Sequence, residues 1–162
     1  MDDYQLTKAF PYLLNRVGVR MGELFSRHLA PHGLTLPMYR VMAALRECTA
    51  MGLGELAATT TVELSTLSRL VGTMSRQGLV SRQRVPGNAR TVDISLTPSG
   101  RRLLETLIPV AVMHEDEALR GFAAEDAARL RGALLRVHEN LSAMAADPAS
   151  ERTPARPARR TR

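Results

Sequence analysis

Residues 65–85 read STLSRLVGTMSRQGLVSRQRV, and the period of the apolar residues changes inside that stretch. As far as Gln77 the period is helical: Leu67, Leu70, Val71 and Met74 fall on one face. Ser65 or a neighbour stands where an N-cap belongs, and Gly78 stands where a C′ glycine belongs. Beyond Gly78 the period is two, because Leu79 to Val85 alternates apolar with polar or basic side chains. Pro86-Gly87-Asn88-Ala89 is a cluster of turn formers, and Thr91 to Leu96 alternates again. A four-turn helix followed by a β-hairpin is therefore expected.

Just upstream, Leu53 to Thr60 has a short helical pattern, joined to the longer helix by Thr61-Val62-Glu63-Leu64. A helix of about two turns, a short connection and a helix of about four turns make a helix-turn-helix. The hairpin that follows is then its wing.

Farther out, both flanks read as long helices. Leu6, Phe10, Leu13, Leu14, Val17, Met21, Leu24, Phe25 and Leu29 predict a helix from Gln5 to Ala30. Pro11 marks a bend or a new start within it, and Pro31-His32-Gly33 ends it. Thr35 is the expected cap of the next helix, with Pro37 in its first turn and its end near Glu47; Met51-Gly52 reads as a break. Thr97-Pro98 repeats the cap-plus-proline start for a helix running to about Leu119, with a kink expected at Pro109. After a break at Gly121-Phe122-Ala123, a last helix carries Leu130, Leu134, Leu135, Val137, Leu141 and Met144. These end helices carry more apolar surface than a small winged motif can cover, so interleaved helices of two protomers are expected.

Composition supports a helical core. Aromatic residues are 4% of the 162, and Trp is absent, which leaves Leu, Val, Ala and Met to fill the interior. The net charge of +6 is unevenly distributed. Residues 62–102 hold seven Arg against Glu63 and Asp93, whereas residues 103–147 carry a net −4. A basic stretch coinciding with the helix-turn-helix and wing is the footprint of a polyanionic partner. Residues 148–162, with five Arg and no large apolar side chain, cannot bury a core and are expected to be a disordered Arg/Pro-rich tail.

Several function classes find no support. Cys48 is the only cysteine, so neither an intrachain disulfide nor a CxxC metal site can form. His28 and His32 are four apart, but Pro31 and Gly33 interrupt any helix between them, and no metal or cofactor is expected. No G-x-S-x-G, P-loop, H-E-x-x-H or Gly-rich dinucleotide loop occurs, so no catalytic residue is assigned and the chain is expected not to be an enzyme. No apolar run approaches the roughly 20 residues of a membrane span, and the acidic start Met1-Asp2-Asp3-Tyr4 lacks a signal-peptide core. A cytoplasmic location with no membrane partner is the expectation.

The order of elements and the local sequence resemble the MarR family of bacterial winged-helix regulators over about residues 5–145. The resemblance is carried by Ser65-Thr66-Leu67-Ser68-Arg69-Leu70-Val71, by Gly78-Leu79-Val80, and by Arg90 with Leu96-Thr97-Pro98-Ser99-Gly100, which is similar to the family's signature after the wing tip. Leu34-Thr35-Leu36-Pro37-Met38-Tyr39-Arg40-Val41 resembles its second helix. The family usually has Asp where this chain has Asn88 and Gly72, so the acids that can hold the wing arginine are missing.

The resemblance implies a mainly α fold: a winged helix-turn-helix with a two-stranded β-wing and N- and C-terminal dimerisation helices. Residues 1–147 would form the domain, with about 34–100 the DNA-binding lobe and about 4–30 and 101–146 the dimerisation helices. It also implies a homodimer that binds double-stranded DNA at an inverted repeat, with repression as the usual mode. The second helix of the motif would enter the major groove and present Ser65, Thr66, Ser68, Arg69, Thr73 and Arg76. Arg69 paired bidentately to guanine would contribute about 1–3 kcal/mol of discrimination. Arg82 and Arg84 share one strand face and reach phosphates, while Asn88 and Arg90 sit at the wing tip, with Arg90 at the minor groove. Family members often bind small aromatic acids between the dimer helices and the DNA-binding lobe. Arg16, Arg20, His28, Tyr39 and His114 are the candidates here, with Met21, Met38 and Met42 as adaptable lining. Oxidation of Cys48 is a rival switch, and a winged-helix protein-interaction module is the alternative to sequence-specific DNA binding.

Overall fold

A computed structural model describes residues 4–85 and 88–146, with the side chains of residue 85 and residues 88–91 left out. The described residues fall into two compact units, divided after Ala118.

In the first unit, α1 spans Phe10–Leu29, after a single 3₁₀ turn at Leu6–Lys8. Ala9 is extended and Pro11 lies in the first turn, so the proline starts a new helix rather than bending a longer one. A 3₁₀ turn at Ala30–His32 and the left-handed Gly33 (φ 66°) reverse the chain. α2 spans Leu36–Arg46, and the Met38 amide donates to Thr35 Oγ1 at 3.4 Å, as a Thr N-cap should.

β1 is Met51–Gly52, where the sequence suggested only a break. It pairs antiparallel with β3, Met51 opposite Ile94 and Gly52 opposite Asp93. α3 spans Leu53–Thr60, α4 Leu64–Arg76, β2 Val80–Val85 and β3 Asn88–Leu96. The wing hairpin is thereby the larger part of a three-stranded sheet of order β1-β3-β2. Its register slips between Arg84 and Val85 near the tip. α5 spans Pro98–Ala118 and runs through Pro109 without ending.

One core holds this unit together. Leu29, Met42, Leu45, Leu56, Leu67, Met74, Ile94, Leu104 and Leu107 are fully buried in it and come from α1 to α5 and the sheet. Each such side chain stabilises the fold by about 1.5–3 kcal/mol through the water it escapes. Met38 and Met42 belong to this core, which corrects their expected place as cavity lining. The outer face of α1 lies outside it: Phe10 and Val17 are 53% and 56% exposed, with Leu13 and Leu14 beside them.

The second unit contains α6, Ala124–Ala146, preceded by Gly121 at φ 90°. Glu125 and Asp126 occupy its first turn, where the helix dipole favours acids. Leu135, Leu141 and Met144 on it are exposed. The Arg-rich tail at 148–162 lies outside the described residues.

Candidate nucleic-acid interface

α4 turns Leu67, Val71 and Met74 into the core and leaves the opposite face open. Four-and-three spacing places Ser65, Arg69, Gly72 and Arg76 on one outward stripe, with Ser68 and Thr73 on its two sides. Ser65, Thr66, Ser68, Arg69 and Arg76 are exposed and Thr73 is half-buried. Arg76 donates to Thr73 Oγ1 at 3.1 Å, so one turn of helix holds the guanidinium in place. Gly72, in the middle of the stripe, has open space where a Cβ would stand.

The cap of α4 differs from the simplest expectation. Glu63, not Ser65, is the N-cap, and Ser65 lies in the first turn. One carboxylate oxygen accepts from the Ser65 amide at 2.9 Å; the other accepts from the Thr66 amide at 3.0 Å and from the Ser65 hydroxyl. The Ser65 hydroxyl first, then the two amides, hold the Glu63 carboxyl down to about 2 from the usual 4.5. The sequence signal was ambiguous, because Glu is not among the favoured caps and Ser65 is.

The wing carries two further exposed arginines. Directly opposed residues share a sheet face, and Val80, Arg82 and Arg84 stand opposite Leu96, Ile94 and Val92. Val80 and Ile94 are buried, so this face is the one that meets the helices. Farther along the hairpin the same face carries the exposed Arg82 and Arg84. Both arginines therefore leave the sheet on its helix side. The other face pairs Ser81 with Ser95, whose hydroxyls are 2.7 Å apart. The side chains of Asn88 and Arg90 lie outside the described ones.

The wing is anchored at its base. Thr97 Oγ1 donates to the Gly78 carbonyl at 2.6 Å and accepts from the Gly100 amide at 3.0 Å. One hydroxyl thus caps α5 and ties it to the turn after α4.

A second region gathers the remaining candidates. A cavity of about 510 Å³ lies between α1 and α5, lined by Val17, Met21 and Leu24 together with Arg16, Arg20 and His114. Arg20 also reaches Glu23 at 3.5 Å. His114 Nε2 is buried and has no hydrogen-bond partner among the described residues. Its ring meets His28 edge-on at 5.0 Å and Phe25 at 5.7 Å, and Phe25 meets Tyr39 at 4.7 Å. Burial raises the Tyr39 pKa, with Arg46 opposing. Arg16, Arg20 and His114 therefore line the cavity, while His28 and Tyr39 form the aromatic layer behind His114. Cys48 is half-buried, with its thiol facing the Ala44 carbonyl at 3.8 Å.

Comparison with known proteins agrees with this geometry. A family model described as the MarR family matches residues 34–92. The HTH-type transcriptional repressor NicR of Pseudomonas putida is 30% identical over 108 residues, 67% of this chain and 68% of that protein. The crystal structure of the MarR family transcriptional regulator SPO1453 of Silicibacter pomeroyi is 33% identical, with a TM-score of 0.74 over 86% of this chain and 99% of that one. BpsR of Bordetella bronchiseptica shares the fold at 24% identity, with a TM-score of 0.72 over 86% of this chain and 96% of that one. That structure concerns regulation of BpsR DNA binding by 6-hydroxynicotinic acid.

Proposed function

The chain belongs to the MarR family of DNA-binding transcription regulators, and from that premise we propose that it is a homodimeric repressor of an inverted-repeat operator, released by a small aromatic carboxylate. The observation that carries the DNA half of this reading is the set of exposed arginines on both α4 and the wing. The stripe of Ser65, Arg69 and Arg76 on α4 and the pair Arg82 and Arg84 on the wing stand on elements locked together by Thr97. α4 is the element for the major groove, and the wing arginines flank it toward the phosphates. Arg90 at the wing tip is assigned to the minor groove by its position in the sequence.

The apolar outer face of α1 supports the dimer. A face with Phe10, Leu13, Leu14 and Val17 exposed is larger than a lone protomer keeps in water, and a two-fold partner covers it. The cavity supports the effector. Its volume suits a small molecule, its walls are apolar, and Arg16 and Arg20 supply cations for a carboxylate. His114 forms part of the same wall.

The test is fluorescence anisotropy of the purified protein on its own upstream intergenic DNA and on a scrambled fragment, at two salt concentrations. Tight binding to the native fragment, weaker binding to the scramble and loss at higher salt are expected. Equal, weak binding to both fragments would overturn sequence-specific regulation in favour of a winged-helix module with a protein partner.

A further inference from the structure

Arg16, Arg20 and Glu117 all line the cavity between α1 and α5, and the three charges are not equivalent. On the α1 side, Leu13, Val17, Met21 and Leu24 form one apolar stripe at helical spacing, with the two arginines beside it. On the α5 side a single turn contributes His114 and Glu117. The His114 ring meets Phe25 and His28, so this turn stands against the C-terminal half of α1. Glu117 therefore belongs to the Leu24 end of the cavity. Arg16 lies toward the other end, eight residues before Leu24, or about 12 Å along the helix.

The two arginines also differ in what they hold. Arg20 reaches Glu23 at 3.5 Å, and that acid offsets its pull on an anion. Arg16 has neither a hydrogen bond nor an ion pair among the described residues. Glu117 has a partner of its own, but an ionised carboxylate has about four lone-pair sites and accepts more than one donor. A carboxylate in this cavity is thus drawn to Arg16 and repelled by Glu117, which fixes the direction in which a ring lies along the stripe.

We infer that the cavity selects a bipolar aromatic molecule: its carboxylate pairs with Arg16, its ring lies on the apolar stripe, and a hydrogen-bond donor at the opposite end, an ammonium best of all, meets Glu117. A second carboxylate at that end is rejected. The inference names the class of effector and rests on the effector reading above. Arg16 and Glu117 are both exposed, so solvent screening limits each contact to a few-fold in affinity.

Isothermal titration calorimetry of the full chain with benzoate, benzamide, terephthalate and 4-(aminomethyl)benzoate tests it. In the wild type, 4-(aminomethyl)benzoate is expected to bind roughly fivefold more tightly than benzoate, and terephthalate and benzamide roughly fivefold more weakly. That order needs no variant. Arg16→Gln should weaken the three carboxylates alike and leave benzamide where it was, while Arg20→Gln should do much less. Glu117→Gln should bring 4-(aminomethyl)benzoate and terephthalate toward benzoate. Circular dichroism and sedimentation check the fold and assembly of each variant. Equal wild-type affinity for benzoate, terephthalate and 4-(aminomethyl)benzoate would overturn the inference alone, since the ligand would then have no fixed direction. A carboxylate preference that follows Arg20 instead of Arg16, or an ammonium preference that survives Glu117→Gln, would do the same. Binding of none of the four at millimolar concentration would overturn the effector reading together with it.

Discussion

Gly100, in the first turn of α5, packs directly on the backbone of Leu79. A Cβ at Gly100 would stand 2.9 Å from the Leu79 carbonyl carbon and closer still to its oxygen. Leu79 is in turn held by Thr97, whose amide donates to the same carbonyl at 3.1 Å. The start of α5 and the start of the wing are thus fitted against each other with no room for a methyl group.

Gly100→Ala should therefore destabilise the protein by about 1–3 kcal/mol, the usual cost of overpacking an unyielding contact. Gly72→Ala should do the opposite, since its Cβ meets open space and a helical glycine costs about 1 kcal/mol relative to alanine. Urea unfolding of the two variants beside the wild type checks both signs.

Glu63 gives a pH dependence with a definite direction. Its carboxyl titrates near 2 in the folded chain against an ordinary 4.5, so the stability it contributes is complete above about 4.5. That contribution is lost as the pH falls from about 4.5 toward 2. The gap in urea midpoint between the wild type and Glu63→Gln should be widest at pH 7 and should close by about pH 2. A gap that does not change with pH would mean that Glu63 acts through packing alone.

The wing arginines should behave as phosphate contacts. Arg82→Ala and Arg84→Ala are each expected to weaken binding to native and scrambled fragments alike and to lower the salt slope by about one. Arg90→Ala should weaken operator binding while leaving the dimer intact. Anisotropy titrations across salt concentrations, with sedimentation of the free protein, separate these effects.

For the α1 face, Phe10→Glu places a charge where the partner's apolar surface is proposed, at a position outside the cavity wall. A shift from dimer to monomer in analytical ultracentrifugation is expected, with weaker operator binding as a consequence. A dimer of unchanged strength would place the interface elsewhere.

Local signals in the sequence located most of the elements. Thr35 and Thr97 each stand before a proline-bearing first turn, and both cap their helices in the structure, because capping depends on residues within one turn. The wing was legible from alternation over more than a dozen residues. β1 was not, since two residues have no period and the strand exists only through its pairing with Ile94 and Asp93, some forty positions away. Helical spacing named the outward residues of α4, but it could not reveal that the single proton of Ser65 is committed to Glu63. Met38 and Met42 were misplaced for a related reason: the sequence marks them as apolar without saying which wall they join.

α5 connects two places treated separately so far. Its first turn is wedged against Leu79 at the wing base, and its last turns carry His114, Glu117 and Ala118 in the cavity wall. At 1.5 Å per residue it is a rod of about 30 Å, with one end clamped. Pro109, which lacks the amide to close its own turn, leaves one backbone hydrogen bond unmade along it. A molecule seated at the far end would rest on the same helix whose other end is wedged against the wing base.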